Sequence, residues 1–223
     1  MHTREVEAVI FDMDGLMFDT ERVFMRGYEA AGEALNLPDA AILTELTMGC
    51  SKEQEIRIIE ERYPIPGIGI QVFNFVREYL AKELEEHSVP VMPGLYELLE
   101  YIRSKNLPAG IASGSPKKVI LHHLRATGTE SYIQAIAASD MVTVSKPVPT
   151  IYLLCSEMLG ANPEKCLVLE DSINGILAAK RAGMIPVMVP NLVQPDAETE
   201  NRLFAKLHDL SEAIPLIEKL LKK

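Results

Sequence analysis

Short, nearly unbroken apolar runs recur along the chain at residues 6–11, 108–112, 135–138, 166–169 and 185–189. Each is too short for a helix and lacks the in–out alternation of a half-solvated strand. Each therefore predicts a strand buried on both faces. Between them, residues 95–105, 117–127, 150–159 and 174–182 repeat apolar positions at helical spacing. Strands and helices in turn predict an α/β domain, a doubly wound parallel sheet with helices packed against it. Pro93-Gly94 punctuates the entry to the first of these helices. Gly160 and Gly183 follow the last periodic residues of two others, where a left-handed turn ends a helix.

One stretch breaks the rhythm. Residues 17–87 contain no strand signal and read as three or four helices, at 21–35, 40–46, 51–61 and 71–86. Ser51 with Gln54 fits a capping box, and Val72, Phe73, Val76, Leu80 and Leu84 share one helical face. The expected organisation is a core of residues 1–16 and 88–223, with an all-helical domain of residues 17–87 inserted directly after the first strand. On pattern alone this insert is a small structural bundle; its position suggests that it covers a site.

Composition narrows the class without naming it. The 223 residues suffice for one moderate core and a small second domain. No apolar run approaches a membrane span of about 20 residues. The polar start, residues 1–5, runs straight into the first strand and is expected to leave no room for a signal peptide. Three scattered cysteines, Cys50, Cys155 and Cys166, argue against a disulfide framework and for a reducing, cytoplasmic setting. Cys155 and Cys166 sit in apolar contexts and are expected in the core. The net charge of −10 disfavours a nucleic acid backbone as partner. It does not disfavour a small phosphate ester, because a local cation outweighs a diffuse, screened field.

The chemistry gathers where strands end. Asp12-Met13-Asp14-Gly15 follows the first run, Ser113-Gly114-Ser115 the second, Ser145-Lys146-Pro147 comes after the third, and Glu170-Asp171-Ser172 follows the fourth. In an open α/β sheet the ligand crevice lies beyond the carboxyl ends of the strands. Two carboxylates two positions apart repel unless one is protonated or a cation is shared. Asp12 and Asp171 can supply the carboxylates that a hard cation such as Mg2+ takes alongside water and substrate phosphate. Ser113, the Gly114 amide and Lys146 can bind phosphoryl oxygens. One Asp can attack phosphorus, giving an aspartyl phosphate, while the other moves protons.

Singly, each element has a plain structural reading: a turn at Asp12 and Asp14, Ser115 capping a helix behind Pro116, a solvated Lys146, and acidic residues at a helix N-terminus at 170–171. The functional reading explains all four at one edge. His122-His123, neighbours on a helix, read as helical surface and a poor metal pair. Gly67-Ile68-Gly69 lacks the third glycine of a dinucleotide fingerprint.

In this order and spacing the sequence resembles the haloacid dehalogenase superfamily of phosphohydrolases. The first motif stands as Asp12-Met13-Asp14-Gly15, the second as Ser113, the third as Lys146 before Pro147, and the fourth as Glu170-Asp171. The resemblance spans nearly the whole chain. It implies that Asp12 is the nucleophile and a Mg2+ ligand. Asp14 is the implied acid/base, lending its backbone carbonyl to the metal, and Asp171 a further ligand with Glu170 as auxiliary acid. Ser113, Gly114 and Lys146 bind the phosphoryl group, and the insert is a helical cap. Within the family the chain looks like the branch of β-phosphoglucomutase and small sugar-phosphate or nucleotide phosphatases. Cap specificity then falls to Phe24, Gly49, Ser51 and Lys52, with residues 71–75 nearby. Mutases of that branch carry His where Phe24 stands and Arg where Lys52 stands, and Lys is a weaker bidentate clamp than Arg. Ser145 and Thr150 replace a usual Gly and Asp, with Thr150 expected still to cap its helix. The expected protein is a Mg2+-dependent phosphatase of a small phosphorylated metabolite, a monomer without nucleic-acid or membrane partners. A phosphomutase and a non-catalytic phosphate-binding regulator remain the alternatives.

Overall fold

The computed structural model describes residues 6–47, 50, 52–86 and 89–221, with the side chains of 84–86 outside that description. It divides into two compact units, residues 1–18 with 90–223, and residues 19–89.

The first unit is built on a six-stranded sheet, β1 (Ala8–Phe11), β2 (Ala109–Ala112), β3 (Ala135–Ala137), β4 (Cys166–Glu170), β5 (Ile185–Met188) and β6 (Ala205–Lys206). Its order is β3-β2-β1-β4-β5-β6, and every pairing is parallel. Both faces of the central strands are sealed. Ala8, Ile10, Ala112, Ala137 and Val168 pack into one cluster with Ile151, Tyr152, Cys155, Ala178 and Ala179. Val9, Phe11, Ile111, Leu167 and Leu169 point the other way and are equally buried. This is the α/β parallel sheet that the apolar runs predict. Close contact requires glycine at position 110: a Cβ there would sit 2.6 Å from the sulfur of Cys155. The helices of this unit are α5 (Leu95–Ser104), α6 (Lys117–Ala126), α7 (Thr150–Leu159), α8 (Ile173–Arg181), the short α9 (Ala197–Glu200) and α10 (Ala213–Leu221).

The second unit is helical: α1 (Thr20–Leu35), α2 (Leu43–Thr47), α3 (Lys52–Arg62) and α4 (Ile68–Glu86). Its core gathers Val23, Tyr28, Ala31, Leu43, Ile59, Val72 and Val76. Helix α4 starts three residues before the expected 71. Its early glycine, Gly69, lets it approach α3, because a Cβ there would lie 2.5 Å from the Ile56 carbonyl oxygen. A polar spine crosses this core. Tyr28 donates to Glu55 at 2.8 Å and shares a 2.9 Å hydrogen bond with Thr47, and Arg77 pairs with the other oxygen of Glu55 at 3.0 Å.

Three local expectations are corrected. Ser115 does not cap α6: Pro116 holds that position, and Asp140 accepts from the Lys117 amide at 3.2 Å. Thr150 begins α7 as its first helical residue, with Pro149 as the cap and no side-chain cap bond. His123 is not surface. It follows Ile120 at helical spacing on the buried face of α6, with its ring centroid 5.7 Å from that of Phe18. Burial lowers its pKa, and only His122 faces outward. Cys155 and Cys166 are fully buried, as their contexts predict. The capping serine expected at Ser51, with Gly49, lies outside the described residues.

Candidate active site

Register brings the motifs together. Phe11, at the end of β1, pairs with Ile111 on one side and Leu169 on the other. The residues just past each strand therefore emerge at one level of the sheet edge. The ladder continues past the strands, with the Asp12 amide donating to the Leu169 carbonyl at 3.0 Å and the Ser113 amide to that of Ala137 at 3.1 Å. Gly15 turns the chain away with φ +80°, a conformation that favours glycine.

Carboxylate oxygens of Asp12, Glu170 and Asp171 lie within 4.8 Å of one another, and all three residues are buried. Lys146 lies between two of them, its Nζ 2.5 Å from Asp12 Oδ1 and 2.6 Å from Glu170 Oε1. Glu170 is the better satisfied partner. Its Oε1 also accepts from the Tyr152 hydroxyl at 2.8 Å, and its Oε2 accepts from the Ser172 amide and hydroxyl at 2.8 and 2.9 Å. Ser172 in turn caps α8 by accepting from the Gly175 amide at 3.1 Å. A Cβ at Gly175 would overlap the Glu170 carboxylate, so glycine is required there by space.

The electrostatics arise from this sharing. Burial pushes the Asp12 carboxyl up to about 8, and Glu170 and Asp14 add to the rise while Lys146 opposes it. For Lys146, burial pulls downward, but Asp12 and Glu170 more than compensate and hold it well above its ordinary value. Burial alone would raise Glu170, yet Lys146, the Ser172 amide and the Tyr152 hydroxyl keep it low. One ammonium shared between two carboxylates thus satisfies Glu170 at the expense of Asp12.

Asp14 is turned elsewhere. Its Oδ2 accepts from Ser115 Oγ at 2.8 Å and from Ser113 Oγ at 3.2 Å. Ser113 is fully buried, and its oxygen also accepts from the Ser115 amide at 3.0 Å. Around the site of a Gly114 Cβ there is no atom within 4 Å.

The structure therefore gathers Asp12, Asp14, Ser113, Lys146, Glu170 and Asp171 at one edge. Sequence reasoning missed Tyr152, whose hydroxyl would be legible only as a buried tyrosine in the first turn of α7, and the second use of Ser115. In the helical unit, Phe24 stacks against a residue that the sequence did not single out, Arg77, and Lys52 shares the Phe73 ring with it. The Arg77 guanidinium carbon lies 5.0 Å from the Phe24 ring centroid and 4.7 Å from that of Phe73, and Lys52 Nζ is 5.1 Å from the same Phe73 ring. Gly49 and Ser51 fall outside the described residues.

Fold order, motif positions and register together define a Rossmann-like α/β protein with an acidic site at the carboxyl ends of its strands. The haloacid dehalogenase-like hydrolase family matches residues 6–183, and the chain belongs to it. A phosphorylated carbohydrates phosphatase of Thermotoga maritima is 31% identical over 213 residues, covering 96% of this chain and 91% of that protein. Hexitol phosphatase B of Escherichia coli is 32% identical over 216 residues, covering 94% and 95%. A solved structure of CbbY from Rhodobacter sphaeroides in complex with phosphate has a TM-score of 0.73 at 26% identity, covering 93% of this chain and 96% of that one.

Proposed function

We propose that this chain is a Mg2+-dependent phosphatase that hydrolyses a small phosphomonoester, of the sugar-phosphate or nucleotide-like kind, through an aspartyl phosphate on Asp12. The observation that carries the reading is the crowding of Asp12, Glu170 and Asp171 within 4.8 Å, offset by the Lys146 ammonium. Relatives named as phosphatases of phosphorylated carbohydrates and hexitols support it.

The donor set fits a hard divalent cation: buried carboxylate oxygens within 4.8 Å of one another, which octahedral coordination at about 2.1 Å would draw somewhat closer. Asp12 and Asp171 would hold it, with the Asp14 carbonyl, and Glu170 stays with Lys146. When bound, such an ion screens the anionic nucleophile from the incoming phosphate and stabilises charge as phosphoryl transfers.

The residues of the chain do the rest. An Asp12 oxygen attacks phosphorus and the ester P–O bond breaks. The leaving alkoxide takes a proton from Asp14. Asp14 then takes a proton from water as that water attacks phosphorus, the Asp12–phosphorus bond breaks, and phosphate departs. Ser113, the Gly114 amide and Lys146 hold the phosphoryl oxygens. The helical unit acts as a cap that excludes water and selects substrate, with Phe24 and Lys52 among its selecting residues. Unpaired Cys50, Cys155 and Cys166 support a reducing, cytoplasmic setting. Phe24 carries no titratable group to serve a mutase, so hydrolysis is preferred over isomerisation.

A panel of phosphate esters, run with Mg2+ and again with EDTA, tests this. Release of phosphate that EDTA stops and Mg2+ restores is expected, with Asp12→Asn inactive and folded. Turnover by Asp12→Asn at the wild-type rate would end the assignment, and conversion of a hexose 1-phosphate to its 6-phosphate would favour the mutase.

A further inference from the structure

Two hydroxyls meet one oxygen of Asp14, and they are not equivalent. Ser115 Oγ donates at 2.8 Å, the usual distance for a hydroxyl donor, while Ser113 Oγ donates at 3.2 Å. A serine hydroxyl has one proton to give. If Ser113 turns that proton to a phosphoryl oxygen, as the proposed function requires, its bond to Asp14 is lost. Ser115 then remains as the hydroxyl on Oδ2.

We propose that Ser115 is a positioning residue: its hydroxyl holds the Asp14 carboxyl group in the orientation from which it passes a proton to the leaving oxygen. This rests on the reading of Asp14 as the acid of an aspartyl-phosphate mechanism. The terminal torsion of aspartate is broad, so the donors on a carboxyl oxygen help select the orientation that the group takes. During transfer the Asp12–phosphorus bond forms, the ester bond breaks, the electron pair leaves on the ester oxygen, and the Asp14 proton moves to it. The Ser115 hydroxyl stays in place and stabilises the carboxylate left behind. The Ser115 amide, donating to Ser113 Oγ at 3.0 Å, ties the two serines into one turn, so that the phosphate-binding hydroxyl and the acid share a support.

The test uses leaving groups. p-Nitrophenolate departs as a stable anion and needs little proton transfer, whereas an alkoxide needs it. Because kcat/KM reports steps through the first irreversible one, it isolates phosphoryl transfer from the later hydrolysis. Ser115→Ala is expected to lose about tenfold or more in kcat/KM on glycerol phosphate or a hexose 6-phosphate, and less than about threefold on p-nitrophenyl phosphate. Ser115→Thr, which keeps the hydroxyl, should stay within about threefold of wild type on both. Thermal melts verify folding. Should Ser115→Ala fail to fold, Ser115→Cys, a similar side chain with a weak donor, should give the same selective loss. Equal losses on the two ester types, no loss on the alkyl ester, or a Thr variant as impaired as the Ala variant would overturn the inference. A wild-type protein inactive on every member of the phosphate-ester panel would instead overturn the proposed function itself, and this inference with it.

Discussion

Replacing Glu170 by Gln removes one charge and changes almost no volume, which makes it the cleanest probe of how this edge is held. Glu170 is fully buried and accepts four hydrogen bonds, two at each oxygen. An amide cannot reproduce them. With its NH2 group at the Oε1 position it faces the Lys146 ammonium, which has no lone pair to offer. Turned the other way, it faces the Ser172 amide, which also cannot accept. In either orientation one fixed donor meets another, and Lys146 loses a charged partner. A lost charged hydrogen bond costs about 1.5–3 kcal/mol, and breaking a buried ion pair about 3–5 kcal/mol. The expected destabilisation is therefore about 3–5 kcal/mol. Full burial leaves no solvent screening to discount it. Urea unfolding of both proteins, followed by far-ultraviolet circular dichroism in EDTA, measures the difference without a metal contribution. Ser172→Ala, which deletes one donor and the α8 cap, should cost about 1–2 kcal/mol in the same assay. A Glu170→Gln protein within about 1 kcal/mol of wild type would refute the reasoning. It would mean that Lys146 is anchored by Asp12 alone.

Other consequences are checked more simply. Gly175→Ala should destabilise despite the higher helix propensity of alanine, worth about 1 kcal/mol, because its Cβ overlaps the Glu170 carboxylate; a more stable variant would contradict the packing. Arg77→Ala strips Glu55, 4% exposed, of its cation and should cost about 2 kcal/mol or more in urea unfolding. Arg57→Ala, which removes an exposed pair with Glu61 at 3.7 Å, should stay within about 0.5 kcal/mol. Burial pushes the Cys155 and Cys166 thiols up to about 12, with the Glu7 carboxylate adding to the rise at Cys166. The reactive thiolate is therefore nearly absent at pH 8, and an aromatic disulfide reagent should leave both unmodified in the native protein. Labelling of either before unfolding would count against that burial.

How much of the structure is legible in the sequence depends on the range of the forces involved. Continuous apolar runs locate β1 to β5 because a strand sealed on both faces tolerates little else. Strand β6 carries no such signal. It pairs only two residues, Ala205 and Lys206, against Val187 and Met188, and both are partly or wholly exposed. Helix α10 is obscured by Pro215, which lies in its first turn, where a missing N–H costs nothing. The roles of Ser115 and Arg77 depend on partners far away in the chain, Asp14 and Glu55, and no local pattern announces them. His123 is a different case. Its spacing from Ile120 places it on the buried face of α6, so the periodicity held the answer and the pairing with His122 hid it.

Topology explains why four separate motifs form one site. In the order β3-β2-β1-β4-β5-β6, β1 is the strand that touches both β2 and β4. A residue directly after β1 is therefore flanked by the exit of β2 on one side and the exit of β4 on the other. Asp12 and Asp14 occupy that position. Asp14 reaches the β2 side, to Ser113 and Ser115, and Asp12 lies among the carboxylates of the β4 side, Glu170 and Asp171. Two residues suffice because one intervening residue, the buried Met13, separates the two directions. The hydroxyls of the β2 side and the carboxylates of the β4 side would otherwise stand two strand steps apart, about 4.8 Å for each step across the sheet. An Asp-x-Asp pair at the end of any strand but this one could not serve both.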